Sequence, residues 1–260
     1  MENRQPRFWN SLKADWYLKG LKYSSLPDLC LNFILPKTAR GDSFLDVGAG
    51  CGTLAIPLAA AGRQVTAIDP SLPMITLLRA EAEQRGLTNL TSHNVAWDEY
   101  EKCNHDVIIC ANVPELLQGP TPFLDEVDRW AGKAVFIITG ADPRGNKFYY
   151  RELYPLLFDK EYPPRGDYLT TYAALHARSI FANVEMLDYR FDQPFQNLEE
   201  ALAFWREYLG LVTDEHDRQL AAFLEKKLEK HEEGLIARFH KKAAIIWWRK
   251  EEKSTPPRKP

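Results

Sequence analysis

The stretch from residue 44 to residue 69 constrains the fold more than any other. Residues 44–47 (FLDV) read as a short apolar strand, Asp46-Val47-Gly48-Ala49-Gly50-Cys51-Gly52-Thr53 as a glycine turn, TLAIPLAAAG as a helix, and QVTAID as a second strand ending in the acid Asp69. A glycine turn between a strand and a helix lets the backbone approach a bound nucleoside closely. A dinucleotide fingerprint would need its third glycine at position 53. Thr53 stands there instead, Gly52 comes one residue early, and Asp46 precedes the turn. That carboxylate would repel a pyrophosphate and attract a cationic ligand, which disfavours a nicotinamide-dependent oxidoreductase.

The rhythm continues with strands expected at 90–95, 106–112 and 134–140, separated by a helix from about 72 to 85 capped by Ser71 and another opened by Thr121 and Pro122. Short apolar strands alternating with helices indicate a parallel sheet covered on both faces. Residues 1–40 form an N-terminal helical cap. Phe8, Leu12 and Trp16 share one helical face, and a second helix is capped by Ser25, carries Pro27 near its start and is stopped by Pro36. The main domain is expected over 41–250, with helical insertions at about 145–182 and 197–230. The run AAIIWW (243–248) is too apolar for a strand with one wet face and should lie inside the sheet. Residues 251–260 read as a flexible tail.

The segments LDVGAGCGTLAIPLA and AIDPSLPMI resemble the first and second motifs of the class I methyltransferase family, a resemblance that covers residues 44–140. It implies an α/β fold, a Rossmann-like three-layer αβα sandwich. Its seven-stranded, mostly parallel sheet would have an antiparallel last strand, a terminal hairpin split by the helices at 197–230, and N-terminal helices over the cofactor edge. It also implies S-adenosyl-L-methionine as cofactor and S-adenosyl-L-homocysteine as product. An ammonium and a sulfonium are charges that Asp46 would welcome. The resemblance carries cofactor binding onto Asp46, Gly48, Ala49, Gly50, Cys51, Asp69, Pro70, Met74, Asn94, Val95, Trp97 and Asn112. Asp69 would accept both ribose hydroxyls, Met74 would lie against the adenine, and Asn94 would take its amino group, with Asp98 as the competing residue. Trp97 would pack beside the purine or anchor the core, and Asn112 would face the methionine part.

Methyl transfer is an in-line displacement that needs alignment first and a base only when the acceptor must lose a proton. Asn112-Val113-Pro114-Glu115 partly resembles the Asn-Pro-Pro-aromatic motif of amino methyltransferases, but Val113 and Glu115 depart from it, which weakens a base-flipping role. Glu115, Tyr150 and His176 are the candidates for catalysis, and Tyr17, Tyr23, Tyr149, Tyr168 and Tyr172 are further candidates for the pocket. A small-molecule acceptor is favoured because the net charge is −3 and no RNA-binding module is appended. Residues 225–260 hold eleven Lys/Arg against six Asp/Glu, leaving −8 for the remainder, so an RNA or protein methyltransferase is the first alternative and a non-catalytic S-adenosylmethionine-binding module the second. No run of about 18 apolar residues occurs and no signal-like start is present, so a cytoplasmic monomer or homodimer without membrane or nucleic-acid partner is expected. The spacing of the histidines and of the four cysteines suggests neither a metal site nor disulfides.

Overall fold

Four of the five residues of the first strand, Ser43–Val47 (β1), are buried, which a strand sustains at the centre of a sheet covered on both faces. The computed structural model describes residues 8–117, 122–164 and 166–250 and places β1 there. The strands that follow are Gln64–Ile68 (β2), Leu90–His93 (β3), His105–Ala111 (β4), Ala131–Gly140 (β5), Asn183–Arg190 (β6), Gln193–Phe195 (β7), Glu229–His231 (β8), Gly234–Ala237 (β9) and His240–Arg249 (β10). The helices are Ser11–Leu21 (α1), Leu26–Ile34 (α2), Ala55–Ala60 (α3), Leu72–Gln84 (α4), Pro114–Leu117 (α5), Phe123–Trp130 (α6), Tyr150–Phe158 (α7), Tyr168–Ala177 (α8), Leu198–Leu209 (α9) and Asp217–Lys227 (α10).

Seven strands form one sheet in the order β3-β2-β1-β4-β5-β10-β6. Strands β1 to β5 run parallel, and β10 lies antiparallel between β5 and β6, pairing Ile245 with Ile138 on one side and Glu185 on the other. The AAIIWW strand is therefore interior and antiparallel, and α9 and α10 separate it in sequence from its hairpin partner β6. Order reverses between β1 and β4, which opens a crevice at the carboxyl ends of those strands, beyond Val47 and Ala111.

One face of the sheet is covered by a cluster with Cys30, Ile34, Leu58 and Ile75, the other by one with Phe123, Val127 and Leu175. A third cluster lies off the sheet and is largely aromatic: Trp16 from α1 joins Phe148, Tyr149, Phe204, Trp205 and Phe239. This cap includes a small antiparallel sheet in the order β7-β9-β8, which the sequence pattern did not announce. Trp205 is its centre: it is fully buried, its indole Nε1 donates to the Phe148 carbonyl at 2.8 Å, and the Tyr149 ring stacks on it at 5.8 Å. Phe148 and Tyr149 are both left-handed, with φ of 52° and 59°, a conformation that the packing has to hold in place. Trp205→Ala removes the ring and orphans that carbonyl, and is expected to cost about 3–5 kcal/mol in urea unfolding. A loss under 1 kcal/mol would mean that the cap is not a cooperative part of the fold.

Several local expectations are corrected. Phe8 and Leu12 are about half exposed, while Ala14, Trp16 and Gly20 form the buried face of α1. Its true cap is Asn10, whose side chain accepts from the Lys13 amide. Ser25 and Ser71 precede their helices without a side-chain cap bond. The α-helix α2 does end before Pro36, at Ile34, and the proline sits in a 3-10 turn, Leu35–Lys37, where its missing N–H costs little. Thr121 and the tail 251–260 lie outside the described residues.

Candidate functional site

The glycine turn sits at the crevice and is tied to the neighbouring strand. The amides of Gly48 and Ala49 both donate to the Ile68 carbonyl at the end of β2, at 2.9 and 3.0 Å. Gly48, Gly50 and Gly52 all have positive φ, at 70°, 57° and 93°. Their surroundings differ. A Cβ on Gly48 would run into Val113 Cγ2, and one on Gly52 would meet Ile56 at 2.5 Å, so these two glycines are required by packing within the protein. At Gly50 the nearest atom would be Met74 Sδ at 3.9 Å, ordinary contact that leaves room. Of the three, Gly50 with Met74 is the part of the turn where a ligand would meet backbone.

The two acids are buried beside this turn in different states. The Asp69 carboxylate accepts from the Gly50 amide through Oδ2 at 2.9 Å and from the Ser71 amide through Oδ1 at 2.8 Å, which aligns it between the turn and the start of α4. The Asn94 side chain donates to the Asp69 carbonyl at 2.9 Å and fastens the ends of β2 and β3 together. Asp46 is 1% exposed, and neither of its carboxylate oxygens has a hydrogen-bond partner among the described residues. Burial pushes its pKa up to about 7, opposed by the Ala55 N–H, which lies outside hydrogen-bond geometry, and reinforced by the Asp69 charge. A buried carboxylate with no partner is costly unless something cationic arrives to meet it.

Helix α1 lies over the turn. Ala14 packs on Cys51 and Met74, and the Tyr17 hydroxyl is 3.2 Å from Thr53 Oγ1, with its ring against Trp9 and Phe191. Burial raises the Tyr17 phenol, with Cys51 as the next cause, so it stays protonated. Cys51 itself is buried and its thiol is pushed up to about 12, which leaves it no nucleophilic role. Thr53, read from sequence as the residue that breaks a dinucleotide fingerprint, is thus where the cap attaches to the turn. Ser71, expected as a helix cap, has a buried hydroxyl without a partner that points to no cap function.

The remaining sequence candidates are placed less evenly. Met74 is buried next to the turn, Val95 is half-buried, and Pro70 and Asn94 are exposed at the same edge. Asn112 ends β4 at that edge with a left-handed φ of 56°, its amide donating to the Ile138 carbonyl, while Glu115 is exposed at the start of α5. Trp97 packs edge-on against Phe123 and donates from Nε1 to Glu126 at 2.6 Å, so its ring is taken up by the core under α6, and Asp98 is exposed. Tyr150 is buried in the cap, where its hydroxyl donates to the Tyr208 carbonyl at 3.2 Å. His176 is exposed at the end of α8, just before β6 starts beside Trp247, which puts it at the opposite edge of the sheet from the turn. Tyr23 packs against His231, and Tyr168 and Tyr172 pack with the cluster of Phe123 and Leu175. Tyr17 and Val113 touch the turn without having been singled out above the other candidates; nothing in their own sequence context marks them.

Residues 45–133 match the methyltransferase domain family, the stretch that carries the turn, both acids and the end of β4. An uncharacterized protein of Haemophilus influenzae is 26% identical over 210 residues, covering 80% of this chain and 76% of that protein. A ubiquinone biosynthesis O-methyltransferase of Methylocella silvestris is 47% identical over 53 residues, about a fifth of each chain (20% and 21%). Among solved structures, YcgJ from Bacillus subtilis superposes with a TM-score of 0.53 at 15% identity, covering 86% of this chain and 98% of that one. The magnesium protoporphyrin IX methyltransferase ChlM from Synechocystis, solved with bound SAH, gives 0.50 at 14% identity, covering 92% and 87%. These structural likenesses concern the fold. The domain match places a methyltransferase domain over residues 45–133, and the seven-stranded sheet that holds it has the Rossmann-like fold of these neighbours.

Proposed function

We propose that this enzyme moves a methyl group from S-adenosylmethionine to a small-molecule acceptor. The observation that carries the cofactor site is the pair of buried acids: Asp46, unpartnered behind the turn, and Asp69, aligned by the Gly50 and Ser71 amides. That donor set fits a nucleoside with cationic groups and would repel a pyrophosphate. Asp69 would take the ribose hydroxyls, the Gly50 backbone and Met74 would flank the ligand, Asn94 and Val95 would border its base, and Asn112 would border the acceptor side. The cofactor, when bound, supplies a methyl group on a sulfonium. What this chain supplies is alignment, which alone can contribute roughly 7–11 kcal/mol, together with water exclusion by α1 through Ala14 and Tyr17. No base is assigned, since Glu115 is exposed and Tyr150 and His176 are turned to other places.

Two observations support a small acceptor. The cap is bound down over the crevice edge, with Trp16 and Lys19 of α1 both donating to Glu200 of α9, which suits an enclosed pocket better than an open track for a polymer. The relative from Methylocella silvestris and the ChlM fold neighbour both carry names of small-molecule methyltransferases. Among the described residues no helix is long and apolar enough to cross a membrane. The test is thermal and chemical unfolding with S-adenosylmethionine, its demethylated product and NAD. Either adenosyl ligand at 100 times its dissociation constant should add about 2.7 kcal/mol, and NAD should add nothing. Stabilisation by NAD alone would overturn the assignment.

A further inference from the structure

Three side chains with metal-binding atoms converge at the edge of the sheet opposite the glycine turn, where β4 begins beside the first residue of β5. Cys103 Sγ stands 3.3 Å from His105 Nε2, Tyr100 Oη stands 3.6 Å from the sulfur, and Oη stands 3.4 Å from the same imidazole nitrogen. Around a tetrahedral ion of the zinc kind, sulfur sits at about 2.3 Å and nitrogen or oxygen at about 2.0–2.2 Å, which separates a sulfur from a neighbouring ligand atom by about 3.5–3.7 Å and a nitrogen from an oxygen by about 3.3–3.6 Å. The S···O and N···O separations match their pairs, and the S···N separation is about 0.2 Å shorter than its pair requires, a gap that a small rotation of the exposed Cys103 side chain opens. We propose that Cys103, His105 and Tyr100 form one face of a tetrahedral site for a borderline-soft divalent cation such as zinc, with solvent as the fourth ligand.

The elements hold this face in different ways. His105 is the first residue of β4, 8% exposed, with its backbone paired to Ala131. Cys103 lies two residues earlier and is exposed, which opens the fourth position to water and gives the ion a way in. Tyr100 arrives from the turn after Trp97, whose indole is fixed on Glu126. Among the described residues no three His, Cys, Asp or Glu side chains gather in this manner; here the third donor is a phenol, the weakest ligand of the set. The site would fasten the crossing from β3 to the start of β4, far from the methyl-transfer edge.

The untagged, reduced full chain is titrated with cobalt(II), which reports thiolate coordination by near-ultraviolet charge-transfer absorption. One equivalent should bind, zinc should displace it, and bound zinc should protect Cys103 from iodoacetamide in the unaltered protein. Cys103→Ser and His105→Gln should each weaken binding by at least about 10-fold, the cost of losing even an outer partner of a ligand. Tyr100→Phe should have the smallest effect. Absence of saturable binding, absence of alkylation protection, or affinity retained in either the Cys103 or the His105 variant would overturn the site.

Discussion

Asp46→Asn is expected to weaken S-adenosylmethionine binding by about 10- to 100-fold while making the empty protein more stable above pH 7. Both effects have one cause. In the empty site burial holds the Asp46 pKa at about 7, against 3.8 for an unperturbed Asp, so the folded protein keeps a proton that the unfolded chain has released. Below about pH 4 both states are protonated and Asp46 contributes nothing. Between pH 4 and pH 7 the unfolded chain ionises first, and stability falls as pH rises. Above pH 7 the whole penalty is present, at most about 4 kcal/mol for this interval. Asparagine carries no charge at any pH, so the stability gap between variant and parent in urea unfolding should open from pH 4 to 7 and then stay constant. A cationic ligand reverses the preference, since it favours the carboxylate; a hydrogen bond to a charged group contributes about 1.5–3 kcal/mol. Binding below pH 7 must then expel the proton, and affinity should rise by about tenfold per pH unit from pH 5 to 7 before levelling off. Calorimetry in buffers of different ionisation enthalpy would count that proton directly. Affinity that ignores pH in the parent protein would remove Asp46 from the site.

The separation between what the sequence discloses and what it hides follows distance along the chain. The turn is legible because its requirements are local: positive φ at three glycines within five residues, and a strand on one side and a helix on the other. The sheet is legible because β1, β4 and β5 are buried on both faces and read as short apolar runs. The cap is less so. Its strands β7, β8 and β9 are three or four residues long, and QPF, EKH and GLIA show no alternation to detect. Nor does helical spacing say which apolar stripe meets a partner: of Phe8, Leu12 and Trp16, which share the expected face, only Trp16 is buried, and it is joined by Ala14 and Gly20. Placing His176 in a pocket needed knowledge of which end of the sheet α8 closes on, and that depends on β10 being inserted between β5 and β6 from more than sixty residues away. Trp97 shows the same limit at short range: its neighbours in sequence leave a purine contact and a core anchor both open, and its neighbours in space, Phe123 and Glu126, are those of the anchor.

Asp69→Ala should cost more affinity than any other single change at the cofactor edge, roughly 100-fold or above. A carboxylate accepting two ribose hydroxyls makes two charge-assisted hydrogen bonds at about 1.5–3 kcal/mol each, and alanine leaves both hydroxyls against a wall that offers no acceptor. The variant also releases the Gly50 and Ser71 amides, so part of the loss could come from a loosened turn instead of a missing ligand contact. Asp69→Asn separates the two. Its side-chain oxygen can still accept from one amide and its shape fills the same space, so the turn keeps most of its position while the charge is gone. If Asp69 grips the ribose, Asp69→Asn should lose at least half of the binding free energy that Asp69→Ala loses while changing the urea midpoint of the empty protein far less. If the acid serves only to hold Gly50 and Ser71, affinity and empty-state stability should fall in step across the two variants. Binding of S-adenosylhomocysteine measured beside unfolding of the empty protein decides between them, and affinity unchanged in both variants would mean that the ribose is held by some group other than the acid at the end of β2.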